Sequence, residues 1–390
     1  MKRFRDKLSQ LKEAGLHRRL RTMSSASAPR VQVDGRWLVM CAANNYLGLV
    51  DDERVRAAAV DAIVRYGTGS SGSRLITGTT DLHVRLEAAI AAFKQTEAAL
   101  VFNNGYMANM AALSSLVGTG DVIFSDELNH ASIIDGCRQS KASVVVYRHN
   151  DMNDLRRKLE DTPASGQRLI VTDGVFSMDG DLANLPAIVD VADTYEAWVM
   201  VDDAHATGVF GQHGGGTADY YGIQAERIAI QVGTLSKAIG SEGGFIAGSR
   251  VLIDYLVNCA RPFVFSTALS PPVLAAAMRA IEIIQTEGAR RDHLHALTKR
   301  LRRGLLDAGF EVLPGTAPII PIILGDPLHT LEFSRRLEEN GVFATAIRPP
   351  TVPPGTSRIR FTLMATHTDD DIEHIIQACI AAGRGLGVIS

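Results

Sequence analysis

The chain has 390 residues, more than one small hydrophobic core organises, so two domains or one large domain with a smaller satellite are expected. Apolar residues make up 46% and charged residues 21%, near the globular average, which argues against a disordered or membrane-spanning class. Lys and Arg number 40 against 43 Asp and Glu, and the resulting net charge of −3 gives no electrostatic case for a nucleic-acid partner, which leaves small-molecule ligands.

The first stretch, "MKRFRDKLSQLKEAGLHRRLRTM", is basic and helical in character. It lacks the apolar centre of a signal peptide, and Asp6 and Glu13 interrupt its charge, so it reads as a solvated arm that packs on the body or on a partner subunit. "RWLVMCAANNYLGL" follows as a strand leaving this segment, and "DERVRAAAVDAIVRY" has helical spacing. "GTGSSG" at 67–72 satisfies the G-x-G-x-x-G pattern, but a dinucleotide fingerprint needs a strand before it, and here a helix precedes. Its glycines instead suit a tight loop near a ligand or a subunit contact.

Strand candidates then recur at "AALVF", "DVIFS", "SVVVY", "RLIVTD", "AWVMVDD", "RIAIQVG" and "GFIAG", with helical or loop stretches between them. That rhythm predicts an α/β fold: a mostly parallel central sheet with helices on both faces. From about Arg290 it changes to a long charged helix, "PIIPIIL", a helix at "LHTLEFSRRLEENG", "RIRFTLM" and a last helix, which predicts a smaller α+β C-terminal domain. The expected division is an N-terminal segment 1–45, a large domain 46–288 and a small domain 289–390. Cys41, Cys137, Cys259 and Cys379 are far apart, so neither a metal site nor a disulfide framework is expected, and a cytoplasmic setting suits them. No apolar run approaches the roughly 18 residues of a membrane span.

Ligands of an open α/β sheet bind beyond the carboxyl ends of its strands. Three successive strand candidates end in polar groups: "RLIVTDGVFSMDGD" delivers Ser177, "AWVMVDDAHATG" delivers Asp202 and His205, and "RIAIQVGTLSK" delivers Thr234 and Lys237. An isolated lysine is more often a solvated side chain, His205 alone a core histidine and Asp202 alone a helix cap. Their order along three consecutive strands is what points to chemistry. A Schiff-base lysine and an acidic partner for a pyridinium nitrogen are the minimal kit of a pyridoxal phosphate (PLP) enzyme. Lys237 is the expected Schiff-base residue and Asp202 the partner that keeps the ring nitrogen protonated. "NNGYMANMAALSSL" after "AALVF" puts Gly105 and Tyr106 at a helix N-terminus, where amides favour a phosphate, and Thr234 adds a hydroxyl.

"VDDAHATGVFG", "TDGVFSMDGD", "GTLSKAIG", "NHASIIDG" and "FSTALSPP" together resemble the α-oxoamine synthases, over nearly the whole chain. Those are fold-type I PLP-dependent transferases that join an amino acid to an acyl thioester with loss of carbon dioxide. "AIRPPTVPPGTSRIR" at 346–360, with "EAGLHRRLRTM" near the start, is similar to the member that uses L-alanine and a pimeloyl thioester. The resemblance implies that His130 stacks on the cofactor ring and that His205 and Ser177 bond its phenolic oxygen. It also implies that Asn44 and Arg360 hold the amino-acid carboxylate, and that Arg18 and Thr351 line the acyl site. Thr267 would reach the phosphate across the interface of a homodimer, with Ser266 as the competing hydroxyl. A glycine- or serine-using sibling and, in another class, a non-catalytic ligand sensor on the same scaffold are the alternatives.

Overall fold

The structure, a computed structural model, describes residues 1–390. The chain opens with helix α1 (Lys2–Glu13) and a hairpin of β1 (Arg30–Val33) and β2 (Arg36–Met40). Helices α2 (Glu53–Tyr66) and α3 (Asp81–Phe93) lead into β3 (Ala98–Phe102), α4 (Gly105–Leu116), β4 (Val122–Asp126) and α5 (Ala131–Gln139). There follow β5 (Ser143–Tyr147), β6 (Arg168–Asp173), β7 (Trp198–Asp202), β8 (Ile230–Thr234) and β9 (Gly244–Gly248). The C-terminal region carries β10 (Ile319–Gly325), β11 (Val342–Phe343), β12 (Thr345–Ile347) and β13 (Ser357–Thr362).

The chain divides into two compact units, a large one of residues 52–176 and 182–291 and a small one of 1–51, 177–181 and 292–390. In the large unit β3 to β9 form one seven-stranded sheet in the order β3-β9-β8-β7-β6-β4-β5, parallel except for β9. All seven coincide with the apolar runs read in the sequence. Alternation across the pleat explains why those runs are nearly unbroken: Leu169, Val171 and Met200 enter one core with α4 and α5, while Ile170, Val199 and Val201 enter the core on the other face. Six of the seven strands are therefore buried on both faces or nearly so, and β5 at the edge keeps Val144 and Val146 exposed.

In the small unit β13 lies between β10 and β12, antiparallel to both. The N-terminal segment belongs to the same unit: β2 pairs in parallel with β11, and the Thr362 amide donates to the Cys41 carbonyl at 2.8 Å. No helix is long and apolar enough to cross a membrane.

Candidate active site

The large unit brings its polar strand ends to one edge of the sheet. Register places Asp173 opposite Asp202 on β6 and β7, and Asp202 opposite Val232 on β8, two residues before Thr234. Three residues further, Lys237 sits in a turn pinned by the Leu235 amide on the Gly243 carbonyl, the Ser241 amide on Leu235 and the Gly240 amide on Lys237. Its Nζ is 3.0 Å from His205 Nε2.

"VDDAH" offers two adjacent carboxylates, and the fold separates their roles. Asp203 turns into the core, where its Oδ2 accepts from Lys94 Nζ at 2.8 Å and its Oδ1 from the Thr217 hydroxyl at 2.6 Å. Lys94 and Asp203 are both buried, so each compensates the other. Asp202 instead accepts from Asn109 Nδ2 at 2.6 Å and from the Ala204 amide at 2.9 Å, and it retains acceptor capacity for a further donor.

Asn109 was not anticipated. It is a buried polar residue on α4, and its amide donates both to Asp202 and, at 2.8 Å, to Ser132 Oγ. Ser132 Oγ lies 2.7 Å from His130 Nδ1, and the Ser132 amide donates to the same nitrogen at 3.3 Å. Nδ1 therefore carries no proton, and the chain Asp202–Asn109–Ser132–His130 fixes the carboxylate and the imidazole together. The His130 amide donates to Asp173 Oδ2 at 2.7 Å. Packing around the His130 ring pushes its pKa down, opposed by the Asp202 charge and helped by Lys237. Burial, reinforced by the Asp202 charge, pushes the Asp173 carboxyl well up. A polar residue within the apolar turns of "YMANMAAL" is the signal that would have found Asn109.

At the N-terminus of α4 the Asn104 side chain accepts from the Met107 amide at 2.9 Å, and its carbonyl accepts from Ala108 at 3.2 Å. The amides of Gly105 and Tyr106 are the two donors left over. A Cβ at Gly105 would fill the notch beside them, 3.4 Å from Thr234 Cβ and 3.6 Å from its Oγ1. The Thr234 hydroxyl lies 2.8 Å from Ser236 Oγ and bonds the Gly243 carbonyl at 2.9 Å. The phenol of Tyr106 is half-exposed and donates to Asp135. Thr267 is exposed; its carbonyl accepts from Asn103 Nδ2 at 3.0 Å, and it bridges Ser73. The glycine loop supports that stretch, with Ser70 Oγ on the Ala268 carbonyl and the Ala268 amide on Gly72. Ser266 and Thr267 both line a cavity of about 10 Å³ with Arg74 and His83, so position does not choose between them.

The requirements of a phosphorylated pyridine aldehyde match this donor set: an amine on Lys237, a carboxylate with spare acceptor capacity on Asp202, and two free amides for the phosphate.

The small unit holds the other expected residues. Arg360 on β13 is buried; its Nε donates to the Ser177 carbonyl at 2.5 Å and its Nη2 to Asn44 Oδ1 at 3.2 Å. Tyr46 also donates to Asn44, at 3.3 Å, and burial pushes its phenol up to about 12. Arg358, two residues before Arg360, is neutralised by Asp179. Arg360 makes no ion pair with the chain and so presents an uncompensated guanidinium suited to a carboxylate. Arg18 Nη2 donates to Thr351 Oγ1 at 3.0 Å.

The family model "Aminotransferase class I and II" matches residues 38–379. An 8-amino-7-oxononanoate synthase of Lysinibacillus sphaericus is 51% identical over 387 residues, covering 99% of each chain. Among solved structures, a lysine-to-alanine variant of serine palmitoyltransferase from S. paucimobilis with a bound PLP–myriocin aldimine superposes with a TM-score of 0.94 at 33% identity, covering 99% of this chain and 98% of that one. An 8-amino-7-oxononanoate synthase from Francisella tularensis does so with a TM-score of 0.77 at 27% identity, covering 89% and 98%. On the extent of these matches and the fold they share, the chain belongs to the aminotransferase class I and II family and, within it, to the group of the 8-amino-7-oxononanoate synthases.

Proposed function

We propose that the chain condenses L-alanine with a pimeloyl thioester to give 8-amino-7-oxononanoate, carbon dioxide and the free carrier thiol, a step of biotin biosynthesis that uses PLP. The observation that carries this reading is Lys237 Nζ at 3.0 Å from His205 beside a buried Asp202 that keeps acceptor capacity. When bound, PLP supplies an aldehyde for the amino acid's nitrogen and a sink for the electron pair left at its Cα.

The chain's residues then divide the work. Asp202, oriented by Asn109, would keep the ring nitrogen protonated. Gly105, Tyr106 and Thr234 bind the phosphate, with Thr267 assigned to the phosphate of the other protomer in a homodimer. His130 would face the ring, and His205 and Ser177 would bond its phenolic oxygen. Asn44 and Arg360 hold the alanine carboxylate. Lys237 Nζ would hold the cofactor through its aldehyde carbon and would be the base that takes the Cα proton of bound alanine. The Cα pair attacks the thioester carbonyl and the thiolate leaves; loss of the carboxylate as carbon dioxide returns a pair to Cα, where a proton is restored. Arg18 and Thr351 line the acyl site, and the setting is cytoplasmic.

The holoenzyme with L-alanine and pimeloyl-CoA is expected to yield 8-amino-7-oxononanoate by mass analysis, with glycine and L-serine consumed far more slowly. Lys237→Ala is expected to abolish turnover with an unchanged circular dichroism spectrum. Wild-type rates in that variant, or a preference for L-serine with a long-chain thioester, would overturn the assignment.

A further inference from the structure

Helix α1 buries none of its 12 residues. Phe4, Leu8 and Leu11 recur at i, i+4 and i+7 and so share one face, where Phe4 is 61% and Leu8 48% exposed. At 3.6 residues per turn, Arg5 and Lys12 flank this stripe on one side and Arg3 and Lys7 on the other, while Asp6 and Glu13 fall opposite. None of these four basic groups makes an ion pair within the chain, in contrast to Arg21, which is tied to Asp34 and Glu338. Residues 1–23 hold eight basic and two acidic side chains, a net +6, whereas the whole chain carries −3. Positive charge is thus concentrated on an arm whose apolar face has no partner.

From this we infer that α1 is the docking surface for a small acidic acyl carrier protein that delivers the thioester, an inference that rests on the acyl-thioester reading above. An apolar stripe bordered by cations on both sides complements an acidic helix, apolar centre to apolar centre and rim to rim. Its location fits delivery. Four residues lie between the end of α1 at Glu13 and Arg18, a span of no more than ~18 Å even fully extended, and Arg18 bonds Thr351 at the proposed acyl site. The −9 on the rest of the chain repels an acidic partner elsewhere and steers it to the arm. An anionic membrane surface would use the same charges, but three apolar side chains with a single aromatic anchor only marginally in a bilayer.

The test uses the full-length holoenzyme and its R3E/R5E/K7E variant. Binding of a fluorescein-labelled acyl carrier protein is followed by anisotropy, and steady-state rates are measured with pimeloyl-acyl carrier protein and with pimeloyl-CoA. The expected result is a Kd for the carrier protein at least tenfold weaker in the variant and a similar rise in KM for its thioester, with pimeloyl-CoA kinetics within twofold of wild type. In the wild type, raising KCl from about 50 to 300 mM should weaken carrier binding steeply. Equal carrier binding by both proteins overturns the inference, as does loss confined to phosphatidylserine vesicles. If neither thioester turns over, the proposed reaction falls while the anisotropy still decides whether α1 docks the carrier.

Discussion

Asn109 shows how much a single amide can organise. Its two N–H bonds hold Asp202 at one end and, through Ser132, His130 at the other. Hydrogen bonds to a charged group contribute about 1.5–3 kcal/mol, so Asn109→Leu is expected to weaken PLP binding roughly tenfold or more in an absorbance titration. Unchanged affinity would remove Asn109 from the positioning of Asp202. His83 tests the same kind of argument away from the chemistry. Its Nδ1 accepts from the Thr80 amide at 3.1 Å at the start of α3, a bond that an imidazolium cannot accept, and burial pushes its pKa down to about 4. The unfolded chain, with His near 6.5, binds the proton first, so this contribution to stability is full above pH 6.5 and is lost as pH falls toward 4. Urea midpoints of the wild type should drop across that window, and His83→Gln should flatten the drop.

At the level of elements, the carboxyl ends of β6, β7 and β8 and the start of α4 make a site because β9 lets them approach. Gly244 on β9 pairs with Phe102, and a Cβ there would stand 2.4 Å from the Asn104 carbonyl carbon and 2.5 Å from the Gly105 nitrogen. Backbone cannot yield as a flexible side chain does. Gly244→Ala is therefore expected to destabilise the protein by roughly 1–3 kcal/mol and to displace the Gly105 and Tyr106 amides, so that inorganic phosphate and PLP both bind more weakly. A variant with wild-type phosphate affinity would show that α4 does not supply the anion site. The sheet itself was legible in the sequence, since strands covered on two faces become short apolar runs and the residue that stops each run marks the site. Asp202, the last residue of β7, was readable as a strand-end group for that reason, and Lys237 follows the end of β8 by three residues. Asn109 was not, because its polarity is explained only by the strand end it faces, 93 positions away. The pairing of β2 with β11 left no local trace either: two short strands about 300 residues apart share no pattern before the fold joins them.

That long-range pairing governs how the whole molecule assembles. The large unit is built largely from near neighbours in sequence: β4 pairs with β5 and β6 with β7 across one helical connection each, and β4 pairs with β6 across the one intervening strand. In the small unit Val39 donates to the Gly341 carbonyl and Cys41 to Phe343, both at 2.8 Å, and the Ala365 amide to Tyr46 at 2.7 Å. Loop-closure entropy opposes such contacts until the intervening chain has compacted, and pairings of high sequence separation form slowly. Chains of this size commonly fold in stages, one compact unit before another. On refolding from urea, the Ile170 and Val171 amides of β6 are therefore expected to gain hydrogen-exchange protection before those of Val39 and Cys41, by a margin that pulse labelling resolves. The order follows from topology and not from strand strength, since Val39 and Cys41 are buried as fully as Ile170. Simultaneous protection of all four amides would mean that the N-terminal segment docks on residues 292–390 as the large sheet forms, and that the two units fold as one cooperative body.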